Sequence, residues 1–146
     1  MNVYHFYNLS RTLKKMKIPI IPKVITYIIR LIFGCFIPST AVIGKGTKIG
    51  YGGIGIVIHS RSIIGENCVI NSGVTIGGTS KKFDVPELGD NVYVGTGAKI
   101  IGPVKIGDNV VIGANAVVTK DIPSNCMVVG IPARIIKKDI DITKYI

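Results

Sequence analysis

Residues 88–120 read LGDNVYVGTGAKIIGPVKIGDNVVIGANAVVTK, with an aliphatic side chain at every sixth position: Leu88, Val94, Ile100, Ile106, Ile112 and Val118. The same rhythm runs through Ile58, Ile64, Ile70 and Ile76, and earlier through Ile43 and Ile49. A helical stripe recurs at about 3.6 residues and a strand at about 2, so neither explains a strict six. Glycine often follows the aliphatic residue, at positions 44, 50, 65, 77, 89, 95, 107 and 113. Four residues after the aliphatic one comes a small or β-branched side chain: Thr47, Ser62, Cys68, Val74, Val92, Ala98, Val104, Val110, Ala116, Ile122.

This pattern describes a chain that runs as a short strand, bends, and repeats, three rungs closing one triangular coil on which the next coil stacks. The aliphatic residue points into the prism, the small one fits beside it, and glycine tolerates the bend. The predicted fold is an all-β repeat, a parallel β-helix. Two places break the rhythm. Between Ile49 and Ile58 the spacing is nine, which inserts three residues around Gly52-Gly53-Ile54-Gly55. At position 82 an inward aliphatic is due and Lys82 stands instead, so residues 79–87 read as a loop thrown out from a corner, since a lone lysine is not buried. Loops projecting from a rigid scaffold commonly carry substrate contacts.

The expected division is a helical, basic segment over 1–42, the β-helix over 43–136 with its loop, and a tail over 137–146. In the first segment KVITYIIRLIFGCFIP is apolar almost all round and predicts a helix from about Lys23 to Phe33, preceded by prolines at 19 and 22. It falls short of the about 20 apolar residues that span a bilayer, and Arg30 interrupts it. Either it caps the open end of the prism or, with its basic flank, it rests on a membrane surface. His5 is expected to precede any ordered element.

The net charge of +10 is unevenly placed: Arg11, Lys14, Lys15, Lys17, Lys23, Arg30, Lys45, Lys48 and Arg61 all come before Glu66, the first acidic residue. Such an end suits an anionic lipid or cofactor; nucleic acid is not expected, because no nucleic-acid module accompanies the charge. Cys35, Cys68 and Cys126 lie far apart without a CxxC, and only two histidines are present, which argues against a metal site and a disulfide framework. The expected location is the cytoplasm, with the inner face of the membrane as the alternative if the basic end touches lipid.

The runs GIGIVIHSRSIIGENCVINSGVTIGG, LGDNVYVGTGAKIIGPVKIGDNVVIGANAVVTKDIP and VVGIPARIIK resemble the serine acetyltransferase branch of the hexapeptide acyltransferases, over roughly residues 38 to 138. The likeness is greatest to short members associated with surface polysaccharides. The resemblance implies a left-handed coil, a homotrimer with clefts between the prisms of neighbouring subunits, acetyl-CoA as co-substrate, no metal, and direct transfer to a hydroxyl. That transfer needs a base at the hydroxyl, and neutral imidazole suits the task because its pKa sits near operating pH. His59, the lone histidine of the repeat region, is the candidate; the bland alternative is a surface histidine in a polar turn.

An 18-residue coil would place Gly77, Gly95 and Gly113 in one column above His59, with Thr96 and Ala114 stacked beside it. By resemblance these positions touch the pantetheine and adenine ends of the cofactor. Thr119, Lys120 and Lys137 match residues near its phosphates, and Arg134 is a further cation. The cysteines do not read as nucleophiles, having no histidine placed to activate them. No residue is evident to orient the His59 ring, and a backbone carbonyl is expected to do so.

Dedicated serine enzymes carry Asp directly before this histidine and an Arg-His pair in the loop; here Ile58 and Asp84-Val85 stand at those positions. Asp84 and Val85 are therefore the acceptor-side candidates. The preferred acceptor is a sugar hydroxyl of a surface glycan or its precursor, with L-serine as the runner-up and a non-catalytic assembly subunit as the third reading.

Overall fold

The computed structural model describes residues 2–146. Its body is a left-handed parallel β-helix of about four coils with three faces. Along the chain the strands are β1 (Val42–Ile43), β2 (Lys48–Ile49), β3 (Val57–Ile58), β4 (Ile63–Ile64), β5 (Val69–Ile70), β6 (Thr75–Gly77) and β7 (Glu87–Leu88). Then come β8 (Tyr93–Val94), β9 (Lys99–Ile101), β10 (Lys105–Ile106), β11 (Val111–Ile112), β12 (Val117–Val118), β13 (Cys126–Val129) and β14 (Arg134–Lys138). The first face stacks β1-β4-β7-β10, the second β2-β5-β8-β11-β13, the third β3-β6-β9-β12. All these pairs are parallel, and β14 closes the far end by turning back antiparallel on β13.

The six-residue rhythm is the core. Ile58, Ile76, Ile100 and Val118 stack in register on the third face, each at most 1% exposed. The small residues four places on, from Ser62 and Cys68 to Val110 and Ala116, are buried beside them. Lys82 points to solvent in the segment between β6 and β7. The nine-residue gap after Ile49 holds a 3-10 turn, Gly50–Gly53, in which Tyr51 and Gly52 take left-handed backbone.

The first corner, between the first and second faces, repeats with little change. Asp90 Oδ1 accepts from the Glu66 N–H at 2.7 Å, Asp108 Oδ1 from the Asp90 N–H at 2.7 Å, and Ser124 Oγ from the Asp108 N–H at 2.9 Å. Beside this ladder Asn91 donates to Asn109 and Asn109 to Asn125 through their side-chain amides. All three asparagines, with Asn67 below, hold φ between 53° and 60°, a region their short polar side chains tolerate. The coils approach so closely that a Cβ on Gly65 would lie 2.5 Å from the Gly89 carbonyl carbon.

Two helices precede the prism, α1 (Val3–Lys15) and α2 (Ile21–Phe33). α2 starts two residues before the expected Lys23, because Pro22 sits comfortably in a helix's first turn, and it ends on Gly34 at φ 62°. α1 was not expected, and His5 lies within it, exposed, rather than ahead of ordered structure. Capping of the prism falls to α1. Tyr7, fully buried, donates to the Ala41 carbonyl at 2.6 Å and accepts from the Ile43 N–H at 3.1 Å. Tyr4 donates to the Gly44 carbonyl and Arg11 to that of Ala41. The open edge of the first coil is thus satisfied around β1 by side chains of α1. α2 packs on α1 through Ile25 and Ile29. Among the described residues no helix is long and apolar enough to cross a membrane.

Candidate active site

His59 follows β3 at the third corner, between the third and first faces. Ile58 is inward and fully buried, so alternation turns the next side chain outward. The ring is half-buried, and its Nε2 edge faces Gly78 and Val85: a Cβ built on Gly78 would stand 3.2 Å from Val85 Cγ1 and 3.9 Å from His59 Nε2. Glycine at 78 therefore leaves space between ring and loop.

The ring's orienting partner is the backbone N–H of Arg61, which donates to Nδ1 at 3.2 Å. This corrects the expectation of a carbonyl: the partner is a donor. A neutral imidazole that accepts at Nδ1 carries its proton on Nε2. Desolvation by burial, and secondly the Arg61 guanidinium, hold the ring below the ordinary imidazole range, so the neutral form persists as pH falls. Cys35 and Cys68 do not supply a nucleophile, since burial pushes the Cys35 thiol up to about 11 and raises that of Cys68 as well.

Arg61 also ties down the loop. Its guanidinium donates to the Phe83 carbonyl and lies 4.2 Å from the centre of the Phe83 ring, a cation–π contact. Val85 tucks in at 8% exposed while Asp84 stays in solvent. Val85 therefore borders the ring, and Asp84 stands at the rim. Neither Arg61, Phe83 nor Gly78 was singled out from sequence. The available signal was an arginine two residues after the histidine.

The column above His59 differs from the expected one. Ile58 pairs with Ile76 and Gly77 with Ile101, and the β9–β12 pairing brings Thr119 next, so the column is His59, Gly77, Ile101, Thr119. Gly95 and Gly113, with Thr96 and Ala114, stack over Asn71 and Ser72 at the second corner instead. The reason is the loop: Ile64 pairs with Leu88, 24 residues on, rather than with a residue 18 on. Lys120, exposed, follows Thr119; Arg134 and Lys137 lie on the exposed strand β14. Within one chain the candidate set thus divides between the third corner, the second corner and the closing hairpin.

A triangular prism of stacked hexapeptides bearing one imidazole on a corner defines the class of hexapeptide-repeat transferases. Residues 86–120 match the family described as bacterial transferase hexapeptide (six repeats). The chain is 43% identical over 132 residues to a serine acetyltransferase of Synechococcus elongatus, covering 89% of this chain and 54% of that protein. Its fold superimposes on the crystal structure of Neisseria gonorrhoeae serine acetyltransferase with a TM-score of 0.89 at 29% identity, over 95% of this chain and 54% of the other. A serine acetyltransferase solved in complex with CoA matches with a TM-score of 0.82 at 32% identity, over 92% of this chain and 55% of that one. The chain belongs to the hexapeptide-repeat acyltransferases, on their serine acetyltransferase-like branch. It spans about half the length of the curated relatives it matches.

Proposed function

We propose that this chain is an acetyl-CoA-dependent O-acetyltransferase, working as a homotrimer with His59 at the reacting hydroxyl. The observation that carries this reading is the third-corner column, where a half-buried imidazole, the side-chain-free Gly77, the half-buried Ile101 and Thr119 lie along one line that ends beside the exposed Lys120. Three strand spacings separate its ends, about 14 Å, a length that suits an extended thioester arm. Lys120 at one end of that line, with Arg134 and Lys137 on β14, offers cations for the cofactor's phosphates. The resemblance to a protein solved with CoA supports the same donor. Gly95, Thr96 and Ala114 fit the reading as the second wall of a cleft, supplied by a neighbouring subunit.

In the transfer, the imidazole takes the acceptor hydroxyl's proton as its oxygen attacks the thioester carbonyl. The tetrahedral intermediate then collapses, breaking the C–S bond, and the imidazolium returns the proton to the departing thiolate. For Nε2 to act as the base, the ring proton must move to Nδ1 and the Arg61 N–H must let go. Loss of that one bond costs about 1 kcal/mol, small beside the gain from a positioned base.

L-serine is the acceptor supported by the named relatives. The second reading, a sugar hydroxyl, is favoured by the site: Ile58 is fully buried and Val85 apolar, where an amino acid would need groups for its carboxylate and ammonium. Arg61, the nearest cation, is already engaged by Phe83. The third, a non-catalytic assembly subunit, is favoured by the occupied Nδ1.

Thiol release from acetyl-CoA separates these readings. Turnover with L-serine supports the first acceptor, and turnover confined to sugars the second. In either case His59→Ala is expected to lower the rate about 10²- to 10⁴-fold. Unchanged turnover in that variant moves the base elsewhere, and absence of CoA binding by calorimetry leaves the assembly role.

A further inference from the structure

The helix α2 buries Pro22, Ile25, Thr26 and Ile29 and turns a second apolar face to solvent. Ile20, Val24, Tyr27 and Leu31 follow one another at helical spacing, flanked by Ile21, Ile28 and Ile32, with Leu31 85% and Ile20 69% exposed. A contiguous apolar stripe of this kind marks an interaction surface. Its border is basic. Lys23 and Arg30 run along one edge, and Lys14 from the end of α1 lines the same cleft, of about 290 Å³, as Lys23 and Tyr27. Lys15 and Lys17 stand close by in sequence, and no acidic residue occurs before Glu66.

We infer that this face of α2 is a docking surface for an anionic lipid bilayer, the helix lying in the interface with its stripe among the acyl chains and its lysines at the headgroups. Charge decides the occupant. A second copy laid face to face would set cation against cation along the rim, whereas an anionic headgroup layer complements it. At 13 residues α2 is suited to lie along a bilayer and not to cross it. The β-helix would then hang from the membrane by its capped end, a location independent of the acyl-transfer chemistry.

The test is flotation of the full chain with vesicles of equimolar phosphatidylcholine and phosphatidylglycerol, against vesicles of phosphatidylcholine alone. Binding is expected to the anionic vesicles only, with at least a tenfold loss between low salt and about 0.5 M salt. Leu31→Glu with Tyr27→Glu, both at exposed positions, should abolish flotation while leaving the thermal unfolding midpoint in place. Lys23→Glu with Arg30→Glu should weaken it at least about tenfold. The inference is overturned if the chain stays in the soluble fraction at low salt, or if either double variant floats undiminished. It is equally overturned if Leu31→Glu with Tyr27→Glu changes the sedimentation coefficient and the parent shows no lipid binding, which would assign the stripe to contact between copies.

Discussion

The first and third corners of the prism are made by the same coils and differ in almost every other respect. At the first, an Asp or Ser oxygen at 90, 108 and 124 accepts the backbone N–H of the neighbouring coil, and a left-handed asparagine follows it each time, at 91, 109 and 125. At the third, successive coils offer a histidine turn, a nine-residue excursion, a Gly102-Pro103 bend and the Thr119-Lys120 turn. At the first corner the coils approach too closely for a side chain at Gly65 or Gly89. The third has room, because Gly78 leaves the His59 edge open and the loop is pinned by Arg61 rather than by the stack. On the proposed function one corner carries the repeat's stability and another its chemistry, and substitutions at the two should have separable effects.

The largest separation should come from glycine. Gly65→Ala drives a methyl group into the Gly89 backbone, and is expected to cost about 3 kcal/mol in denaturant unfolding. Gly78→Ala meets only the Val85 side chain and the His59 ring, so its cost should stay below about 1 kcal/mol, with impaired turnover instead. Equal destabilisation by the two would break the distinction between the corners. Next comes Asn109→Ala, which removes a donor and an acceptor from the ladder and puts a Cβ-bearing residue without a polar tip at φ 55°. A loss of about 2 kcal/mol is expected, with acyl transfer unaltered below the unfolding transition.

The smallest effect concerns pH. Burial and then the Arg61 charge depress the His59 pKa, so Arg61→Gln should raise it toward the ordinary imidazole range. If neutral His59 is required, kcat/KM falls as pH drops through that pKa, and the acid limb of the variant should lie at higher pH than that of the parent. An acid limb that moves down, or stays while kcat/KM alone falls, would leave Arg61 with only its role in holding Phe83.

The rhythm was readable because its physical cause is local: each inward aliphatic and each small companion is needed wherever the chain passes the prism axis. Each of Ile58, Ile76, Ile100 and Val118 is therefore inward as the six-residue rhythm predicts, although Ile76 stacks on Ile100, 24 residues on, and not on Val94, 18 on. What the spacing does not carry is how many residues a corner discards into a loop. Leu88 takes the place above Ile64, and every column beyond the loop shifts, which moves Gly95 and Ala114 away from His59. The Arg61-Phe83 clamp joins positions 22 apart through a loop of irregular backbone and has no periodic signature. The first helix escaped notice for a similar reason: Val3 and Tyr7 mark its buried side, but three polar or basic residues break the pattern before Leu13.

A tube of stacked strands has no intrinsic length, because each coil offers the next the same row of donors and acceptors. Here growth is halted at one end by α1, whose Tyr7 phenol occupies a carbonyl and an N–H of the first coil together, with Arg11 on the same carbonyl and Tyr4 on that of Gly44. Tyr7→Phe with Arg11→Ala would leave both groups vacant and make that end adhesive, so a solution of discrete particles should turn turbid as tubes join into filaments. The finite size of the molecule is in this sense a property of three side chains on one short helix.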